Sequence, residues 1–329
     1  MVANVRSTPL VRCCLALTLL AALTLGASAQ QYPSRPVKMI ISITAGAGPD
    51  VIARIVSEHL GKLWGQQVVV ENRPGAGGAI AVRAAGTSTP DGYTLYVAVA
   101  SNFLALPEML AKLPYDVARD FVPIGFVGAH PMVIGASTEL GVSTLPELIA
   151  LAKKRPGELN IGISTRGSLP HLTAEWLRMA AGIDVTIVHY PGAPQALTDL
   201  MGGRIHVVIE SLATFAPAIA AGKLKALTVA TAQRLKTVPD LPAVAETLPG
   251  FVAMGWFALM APPGTPEPIA RKVSADLRTV LTRPEAVRRL TELGTYLEPM
   301  SPDALVTFIR SQQQAWKPVL TEIADKTPK

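Results

Sequence analysis

Cysteine is nearly absent from this sequence. Among 329 residues there are only two, Cys13 and Cys14, and both lie in an N-terminal segment that is predicted below to be removed. The remaining chain has no thiol, which excludes a disulfide framework, a thiol nucleophile and a thiolate metal site. Arg12 directly precedes Cys13, which is a poor match to a lipoprotein processing site, so no lipid anchor is expected.

Long apolar runs are also scarce, although 49% of the residues are hydrophobic. The longest, Leu15 to Ala27, is shorter than the roughly 20 residues that a membrane-spanning helix needs. Arg6 and Arg12 precede it, and the small residues Ala27-Ser28-Ala29 close it, as in a secretory signal peptide. We therefore predict a signal peptide over residues 1–29 and a soluble periplasmic protein after its removal.

Charged residues are sparse, at 16% of the chain. The formal net charge is +6, and it falls to +4 once Arg6 and Arg12 leave with the signal peptide. No basic run is longer than Lys153 to Arg155, whereas a nucleic-acid-binding surface needs a basic stripe or patch. No nucleic-acid partner is therefore expected.

Metal and cofactor motifs are incomplete. The segment Gly46 to Asp50 follows a strand pattern, but Val51 stands where the third glycine of a dinucleotide fingerprint belongs, and Pro49 removes one amide. The run Gly75 to Gly78 lacks the Lys-Ser/Thr pair of a nucleotide-binding loop. The histidines have neither the i, i+4 spacing nor the nearby carboxylates of a metal site; they are His59, His130, His171, His189 and His206. No cofactor and no metal are expected.

An exported serine hydrolase is the alternative from another functional class. The segment Gly162 to Arg166 resembles a nucleophile elbow but ends in arginine rather than glycine. Ser164 or Ser168 could form a triad with His171 and Asp199, although their spacing does not require one. We therefore expect a protein that is not an enzyme.

From Tyr32 onward, short β-branched runs alternate with helical patterns, which indicates a parallel α/β fold. Val37 to Ile43 is an almost continuous apolar run, as in a strand that is covered on both faces. Asp50 lies where an N-cap or first-turn acid of the next helix belongs. Further strand and helix patterns lie at Gln67 to Glu71, Tyr93 to Val99, Asn160 to Ser164, His171 to Ala181, Val185 to His189, Ala193 to Met201 and Ile205 to Glu210.

The order of these patterns predicts two domains, each with its own sheet. Strand patterns at Ile124 to Gly128 and Met132 to Ala136 run almost end to end, and a second crossing strand is predicted at Met254 to Ala261. Domain 1 is therefore predicted over residues 30–131 plus 254–329, and domain 2 over residues 132–253. Three tail helices are predicted to pack on domain 1, at Pro268 to Leu281, Glu285 to Leu293 and Asp303 to Ile323.

Two loops share one pattern that suits anion binding. Thr44 to Asp50 and Ser164 to His171 each follow a strand, are rich in small or hydroxyl residues, and open a helix. Such loops present free amides and the positive end of a helix dipole. Because the loops fall in different predicted domains, we expect them to face each other across a cleft that closes on a solute.

Several sequence blocks, spread over essentially the whole chain after the signal peptide, resemble the tripartite tricarboxylate transporter solute receptors, the Bug or TctC-like family. The blocks are Tyr32-Pro-Ser-Arg-Pro36, Asp50-Val-Ile-Ala-Arg54, Val70-Glu-Asn-Arg-Pro-Gly-Ala-Gly-Gly78, Pro90-Asp-Gly-Tyr-Thr-Leu95, Tyr115-Asp116, Asp120-Phe121, Pro156-Gly157, His171-Leu172, Leu197-Thr-Asp-Leu200, Gly222-Lys-Leu224, Pro239 to Glu246 and Ala261-Pro-Pro-Gly-Thr-Pro266.

The resemblance implies a periplasmic-binding-protein fold of the type II-like Venus-flytrap kind, in which two α/β domains enclose a ligand cleft. It implies a monomer that binds a small carboxylate, such as a dicarboxylate, a tricarboxylate, an amino acid or an aromatic acid, and passes it to membrane transporter subunits. A receptor that presents its closed form to a sensor kinase instead is an open alternative.

The two loops and the resemblance together identify the candidate ligand-binding residues. They are Thr44, Ala45, Gly46, Ala47, Asp50, Ser164, Thr165, Arg166, Gly167, Ser168, His171, Tyr190, Glu210 and Ser211. For Asp50 the simplest role is structural, in an i, i+4 pair with Arg54. Glu210 as a carboxylate would favour a cationic group on the ligand, or it would cap the helix that begins near Thr214.

The chain departs from the family pattern at several of these positions. Ala47 replaces the second glycine of the first loop, and Thr165 replaces a glycine of the second. Arg166 stands where asparagine is usual, and an arginine there could pair bidentately with a ligand carboxylate. His189 and Pro191 stand where proline and lysine are usual, which predicts an altered selectivity at this wall of the site.

Overall fold

The computed structural model describes residues 32–109, 115–298 and 300–326. The predicted signal peptide, residues 1–29, lies outside the described residues. Within the described ranges, no helix has both the length and the apolar character needed to cross a membrane.

One sheet runs through the described chain and joins nine strands. The strands are β1 (Val37–Ile41), β2 (Val68–Asn72), β3 (Thr94–Val99), β4 (Val122–Ser137), β5 (Asn160–Ile163), β6 (Thr186–His189), β7 (Val207–Ser211), β8 (Leu224–Val229) and β9 (Met254–Ala261). Their order in the sheet is β2-β1-β3-β9-β4-β7-β5-β6, and β8 pairs with β4 beside this path. Most predicted strands are therefore confirmed to within two residues at each end.

Helices cover both faces of the sheet and follow most of its strands. They are α1 (Gly48–Trp64), α2 (Ala79–Gly86), α3 (Ala100–Met109), α4 (Val117–Asp120), α5 (Leu145–Lys154), α6 (Leu169–Ala181), α7 (Ala193–Met201), α8 (Leu212–Ala220), α9 (Glu267–Leu281), α10 (Pro284–Glu292) and α11 (Pro302–Lys326). In α1, the helical spacing of Ile52, Ile55, Val56 and Leu60 buries one apolar face. This helix ends at Gly65, whose φ of 64° lies in the left-handed region.

The two predicted sheets are joined into one, because one long strand belongs to both halves. The two strand patterns that run end to end are the single strand β4, whose partners change along its length. It pairs with β9 from Val122 to Pro131 and with β7 and β8 from Met132 to Ser137. The domain boundaries at residues 131/132 and 253/254 stay a prediction.

The sheet is mixed rather than purely parallel. β1 pairs in parallel with β2 and β3, and β5 pairs in parallel with β6 and β7. The pairings of β4 and β9 are antiparallel. The reason is topological: the chain leaves the first half of the sheet along β4 and returns along β9, so these two crossing strands run in opposite directions.

The last helix packs on elements of both halves. α11 contacts α3 and β4, in agreement with the predicted packing of the tail, and it also contacts α6. Phe308 lies edge-on to Trp256 with ring centroids 5.2 Å apart, and Trp316 lies edge-on to Trp176 at 5.2 Å. These residues belong to one apolar cluster that extends across the sheet.

Candidate functional site

A cleft lies between the two halves of the sheet. Strand ends and loops of the first half line one wall: Ser42, Ile43, Thr44, Ala47, Pro49, Gly75, Gly77, Gly78, Val99, Ala100 and Ser101. The second half supplies the facing wall: Ser164, Thr165, Ser168, Leu169, Pro170, Gly192, Ala193 and Glu210. The crossing strands supply the floor: His130, Met132, Gly255, Trp256 and Phe257.

Five helices begin at this cleft. α1 reaches it with Pro49, α2 with its N-cap residue Gly78, α3 with Ala100, α6 with Leu169 and α7 with Ala193. The first amides of a helix have no partner within the helix, and its N-terminus carries a partial positive charge. The cleft therefore concentrates amide donors and positive potential, which suits an anion.

The turn before α2 requires glycine for two reasons. Gly77 and Gly78 have φ of 63° and 107°, a backbone conformation that residues other than glycine rarely adopt. In addition, a Cβ on Gly78 would overlap the side-chain amide of Asn102. The glycine-rich run thus brings backbone rather than side chains to the cleft.

Asp50 does not line the cleft, but its hydrogen bonds hold the first loop in place. Its Oδ2 accepts hydrogen bonds from the Gly46 amide at 2.9 Å and from Arg54 Nε at 3.0 Å, and its Oδ1 accepts one from Asn72 at 2.8 Å. Burial alone would raise the pKa of Asp50, but these hydrogen bonds hold it below its ordinary value. The predicted i, i+4 pair between Asp50 and Arg54 is confirmed.

The second loop is held by Ser168 and His171. Ser168 is the N-cap of α6, where its hydroxyl accepts from the His171 amide at 3.4 Å, and this hydroxyl lies 3.3 Å from the Ser164 hydroxyl. His171 Nδ1 accepts from the Gly167 amide at 3.2 Å. Burial, with help from the nearby His189 and positive charges, lowers the pKa of His171 to about 4. The ring is therefore neutral at physiological pH.

Six of the fourteen candidate residues line the cleft, and eight lie outside its lining. The lining residues are Thr44, Ala47, Ser164, Thr165, Ser168 and Glu210; the others are Ala45, Gly46, Asp50, Arg166, Gly167, His171, Tyr190 and Ser211.

The side chain of Arg166 is exposed. The Tyr190 hydroxyl donates to Asp199 at 2.8 Å, and Ser211, rather than Glu210, caps α8 through the Thr214 amide. Direct ligand contact by these residues stays a prediction.

The geometry does not assemble the alternative serine triad. Asp199 accepts from Tyr190 and, at 2.6 Å, from Arg204. His171 Nδ1 accepts from a backbone amide, and its Nε2 lies 3.8 Å from a carboxylate oxygen of Glu175. Neither ring nitrogen is therefore paired with a serine hydroxyl, as a general base would be.

Among the described residues that line the cleft, Glu210 is the one acidic side chain. It lies on β7 opposite Val133 of β4 and is 5% exposed. Burial raises its pKa to about 7, although hydrogen bonds from the Ser164 hydroxyl and the Ser211 amide oppose this shift. The other ionisable lining residue is His130, whose pKa burial lowers to about 3. No lysine or arginine is among the described residues that line the cleft.

The floor of the cleft was not predicted. His130 stacks on Phe257 with ring centroids 4.7 Å apart and planes 7° from parallel, and Met132 and Trp256 lie beside this pair. The sequence did contain a signal for this floor. Strands that cross between two domains must pass beneath the cleft between them, and the two crossing strands were predicted. The α3 wall with Ala100 and Ser101 was also missed, because no helix was predicted after the strand pattern that ends at Val99.

Within the described ranges, no group of three or more histidine, cysteine, aspartate or glutamate side chains could hold a metal ion.

Comparisons with known proteins agree with the resemblance in the sequence. The family model described as "Tripartite tricarboxylate transporter family receptor" matches residues 52–324. Protein BugT of Bordetella pertussis is 35% identical over 91% of this chain and 92% of its own length. The structure "R. palustris Rpa4515 with adipate" has a TM-score of 0.85 at 30% identity and covers 88% of this chain and 97% of that one. The periplasmic binding protein BugD gives a TM-score of 0.82 at 31% identity, over 88% of this chain and 98% of its own.

These relatives confirm the predicted two-domain binding-protein fold with its cleft. They are receptors and binding proteins rather than enzymes, in agreement with the function expected from the sequence. The match covers most of the chain at an identity above 30%. The chain therefore belongs to the tripartite tricarboxylate transporter receptor family.

Proposed function

We propose that this protein is a monomeric periplasmic receptor that closes its two domains around a small carboxylate and delivers it to the membrane subunits of a tripartite tricarboxylate-type transporter. The candidate ligands are dicarboxylates, tricarboxylates, amino acids and aromatic acids. The moving unit is the predicted domain 2, residues 132–253, and it turns on the crossing strands β4 and β9.

The observation that carries this proposal is the convergence of five helix N-termini, from both halves of the sheet, on one cleft. Each N-terminus carries a partial positive charge, and helix amides without a partner in the chain can donate to an anion. Hydroxyl groups of Thr44 and Ser101 add neutral donors. A binding site whose donors are amides and hydroxyls, without a salt bridge, suits an uptake receptor because the ligand must also be released.

The relatives support the ligand class, since the solved structure of Rpa4515 contains adipate. The lining supports it as well. Its donors are amides and hydroxyls, while Met132, Trp256 and Phe257 form an apolar floor. A ligand with carboxylate at its ends and a short apolar body complements such a surface.

Closure follows from differential binding. The N-termini of α1, α2 and α3 are on one wall and those of α6 and α7 on the other, so both sets reach the ligand only when the walls approach. A ligand that gains contacts only in the closed form shifts the population toward that form. The transporter then receives the closed, loaded receptor.

Thermal unfolding tests the proposed ligand class. The protein purified from the periplasm is unfolded and refolded to remove bound solute, and then melted with adipate, malate, citrate, glutamate and benzoate. A ligand at 100 times its Kd adds about 2.7 kcal/mol of stability, which raises Tm by several degrees for a chain of this size. The expected result is a selective rise with one class of acid, and no rise with any of them would overturn the proposal.

Two matched variants locate the site. Ala193→Glu places a carboxylate at the N-terminus of α7 inside the cleft, so the rise in Tm should disappear. Ala150→Glu makes the same change on the exposed side of α5, so the rise should persist. Uptake of the identified acid by cells that contain the transporter subunits, with and without the receptor, tests delivery. Equal uptake in both would exclude the transport role.

A further inference from the structure

Glu210 is the group in the cleft that the binding of an anion does not explain. A buried carboxylate on the wall of an anion site repels its ligand, and the described lining has no cationic side chain to offset the repulsion. Glu210 is nevertheless 5% exposed and lines the cleft beside Ser164. Either the ligand brings a cation to this carboxylate, or the carboxyl is neutral when the ligand is bound.

The surroundings of Glu210 favour the neutral form. The elements packed against β7 are β4, β5, α6, α7 and α8. Their charged or titratable residues are His130 on β4, His171, Glu175 and Arg178 on α6, and Asp199 on α7. Arg178 is paired with Glu175 at 2.6 Å, Asp199 with Arg204, and burial keeps the two histidines neutral.

No positive charge therefore stabilises an ionised Glu210. Burial dominates, and it places the pKa near 7 before any ligand arrives. A second carboxylate beside Glu210 would raise this pKa further, because two like charges in one site cannot both remain ionised at low cost.

We propose that Glu210 binds the ligand as a neutral carboxylic acid that donates a hydrogen bond to a ligand carboxylate, so that the receptor takes up a proton with its ligand. This inference rests on the proposed function and narrows its substrate class to carboxylates that do not need an ammonium group. Glu210 is thereby a specificity-determining residue: its neutral acid form donates to an anionic group, whereas an ammonium group would need its ionised form.

The first measurement needs no ligand. The carboxyl carbons of the glutamate side chains are labelled with carbon-13 and titrated by NMR in the wild type, in Glu210→Gln, and in Glu267→Gln as the matched control on the exposed start of α9. One carboxyl with a midpoint near pH 7 is expected in the wild type and the control, and is expected to be missing from Glu210→Gln. If all wild-type glutamates titrate below about pH 5.5, the proposal is wrong.

The second measurement uses adipate and 2-aminoadipate, which differ by one ammonium group. Calorimetry at about pH 7.5, in two buffers with different heats of ionisation, counts the protons taken up. Adipate is expected to bring roughly three-quarters of a proton to the wild type and the control, and none to Glu210→Gln. Wild-type affinity for adipate is expected to be about 20-fold weaker at pH 8.5 than at pH 6.5, because the protonated fraction falls. For Glu210→Gln, the two affinities should be equal.

The remaining outcomes are also decisive. Binding of adipate by the wild type without proton uptake overturns the proposal. It is also overturned if the wild type binds 2-aminoadipate but not adipate and Glu210→Gln binds neither. That result would show that an ionised Glu210 binds the ammonium group. If neither these acids nor any acid of the thermal-unfolding panel binds while the carboxyl titrates near pH 7, the proposed carboxylate function fails for this cleft, and the present proposal falls with it. The NMR titration thus distinguishes the two failures.

Discussion

The backbone amide of Gly48 donates a hydrogen bond of 3.1 Å to the side-chain hydroxyl of Thr214. Gly48 is the first residue of α1, between the lining residues Ala47 and Pro49, and Thr214 lies in the first turn of α8, so the bond joins the two halves of the molecule beside the cleft. Thr214 also shares a hydrogen bond of 2.9 Å with the Ser211 hydroxyl. The start of one helix is thus bonded to the start of another in the other half of the molecule.

Thr214→Val is expected to weaken the closed form. Valine has nearly the same shape but cannot accept the Gly48 hydrogen bond, so closure would bury an unpaired amide, which costs about 1–2 kcal/mol. Affinity for the acid identified in the thermal-unfolding panel should fall about 5- to 30-fold, mainly through faster dissociation. Calorimetry and stopped-flow fluorescence measure both quantities. Thr279→Val, at an exposed position of α9, should change neither, and an unchanged affinity of Thr214→Val would contradict a role of this bond in closure.

Gly48→Ala is expected to prevent full closure without unfolding the protein. A Cβ at Gly48 would overlap the Ser211 hydroxyl and would lie 3.1 Å from the Thr214 hydroxyl, whereas alanine is a better helix former than glycine. Ligand affinity should therefore fall at least tenfold while Tm of the ligand-free protein stays within a few degrees. Gly202→Ala, whose Cβ would have no neighbour nearer than 3.4 Å, is the matched control. If Gly48→Ala binds as tightly as the wild type, the two walls do not approach as closely in the liganded protein as they do here.

The sequence predicted the strands and the two loops that border the cleft because their local patterns are strong. Apolar runs such as Val37 to Ile41 mark buried strands, and a loop of small residues before a helix marks free amides. The continuity of the sheet could not be predicted, since the change of partner within β4 depends on which strands lie beside it. Likewise, the pairing of Gly48 with Thr214 joins residues that are 166 positions apart, and no local pattern links them.

The position of Arg166 shows a further limit of such prediction. Its place in the second loop indicated contact with a carboxylate, but the loop turns at Gly167, whose φ is 79°, and the arginine side chain is exposed. Glu210, in contrast, was predicted to reach the cleft and does line it. Whether a side chain at a loop tip faces the ligand or the solvent depends on backbone angles that the residue type does not determine.

Glu210→Gln is expected to change how the stability of the ligand-free protein depends on pH. The pKa of Glu210 is raised from 4.5 to about 7 by burial, so between these values the folded protein binds a proton that the unfolded chain has released. The stabilising contribution of the neutral acid is therefore complete below pH 4.5, is lost as the pH rises to about 7, and amounts to about 3 kcal/mol. Urea unfolding of the wild type and the variant should show a smaller loss of stability over this range in Glu210→Gln. Parallel curves would mean that Glu210 is ionised throughout.

His130→Phe is expected to reduce the loss of stability that occurs as the pH falls, whereas Glu210→Gln reduces the loss that occurs as the pH rises. Burial lowers the pKa of His130 from 6.5 to about 3, so between these values the unfolded chain binds a proton that the folded protein excludes. Stability from this residue is therefore complete above pH 6.5 and is lost as the pH falls toward 3. Phenylalanine keeps a ring stacked on Phe257 and removes the buried, unpaired Nδ1. The free energy of unfolding, measured in urea between about pH 4 and pH 7, should decline less steeply on acidification in His130→Phe than in the wild type. If both proteins lose stability at the same rate, His130 becomes protonated within the folded cleft, and its ring must then be accessible to solvent from the ligand side.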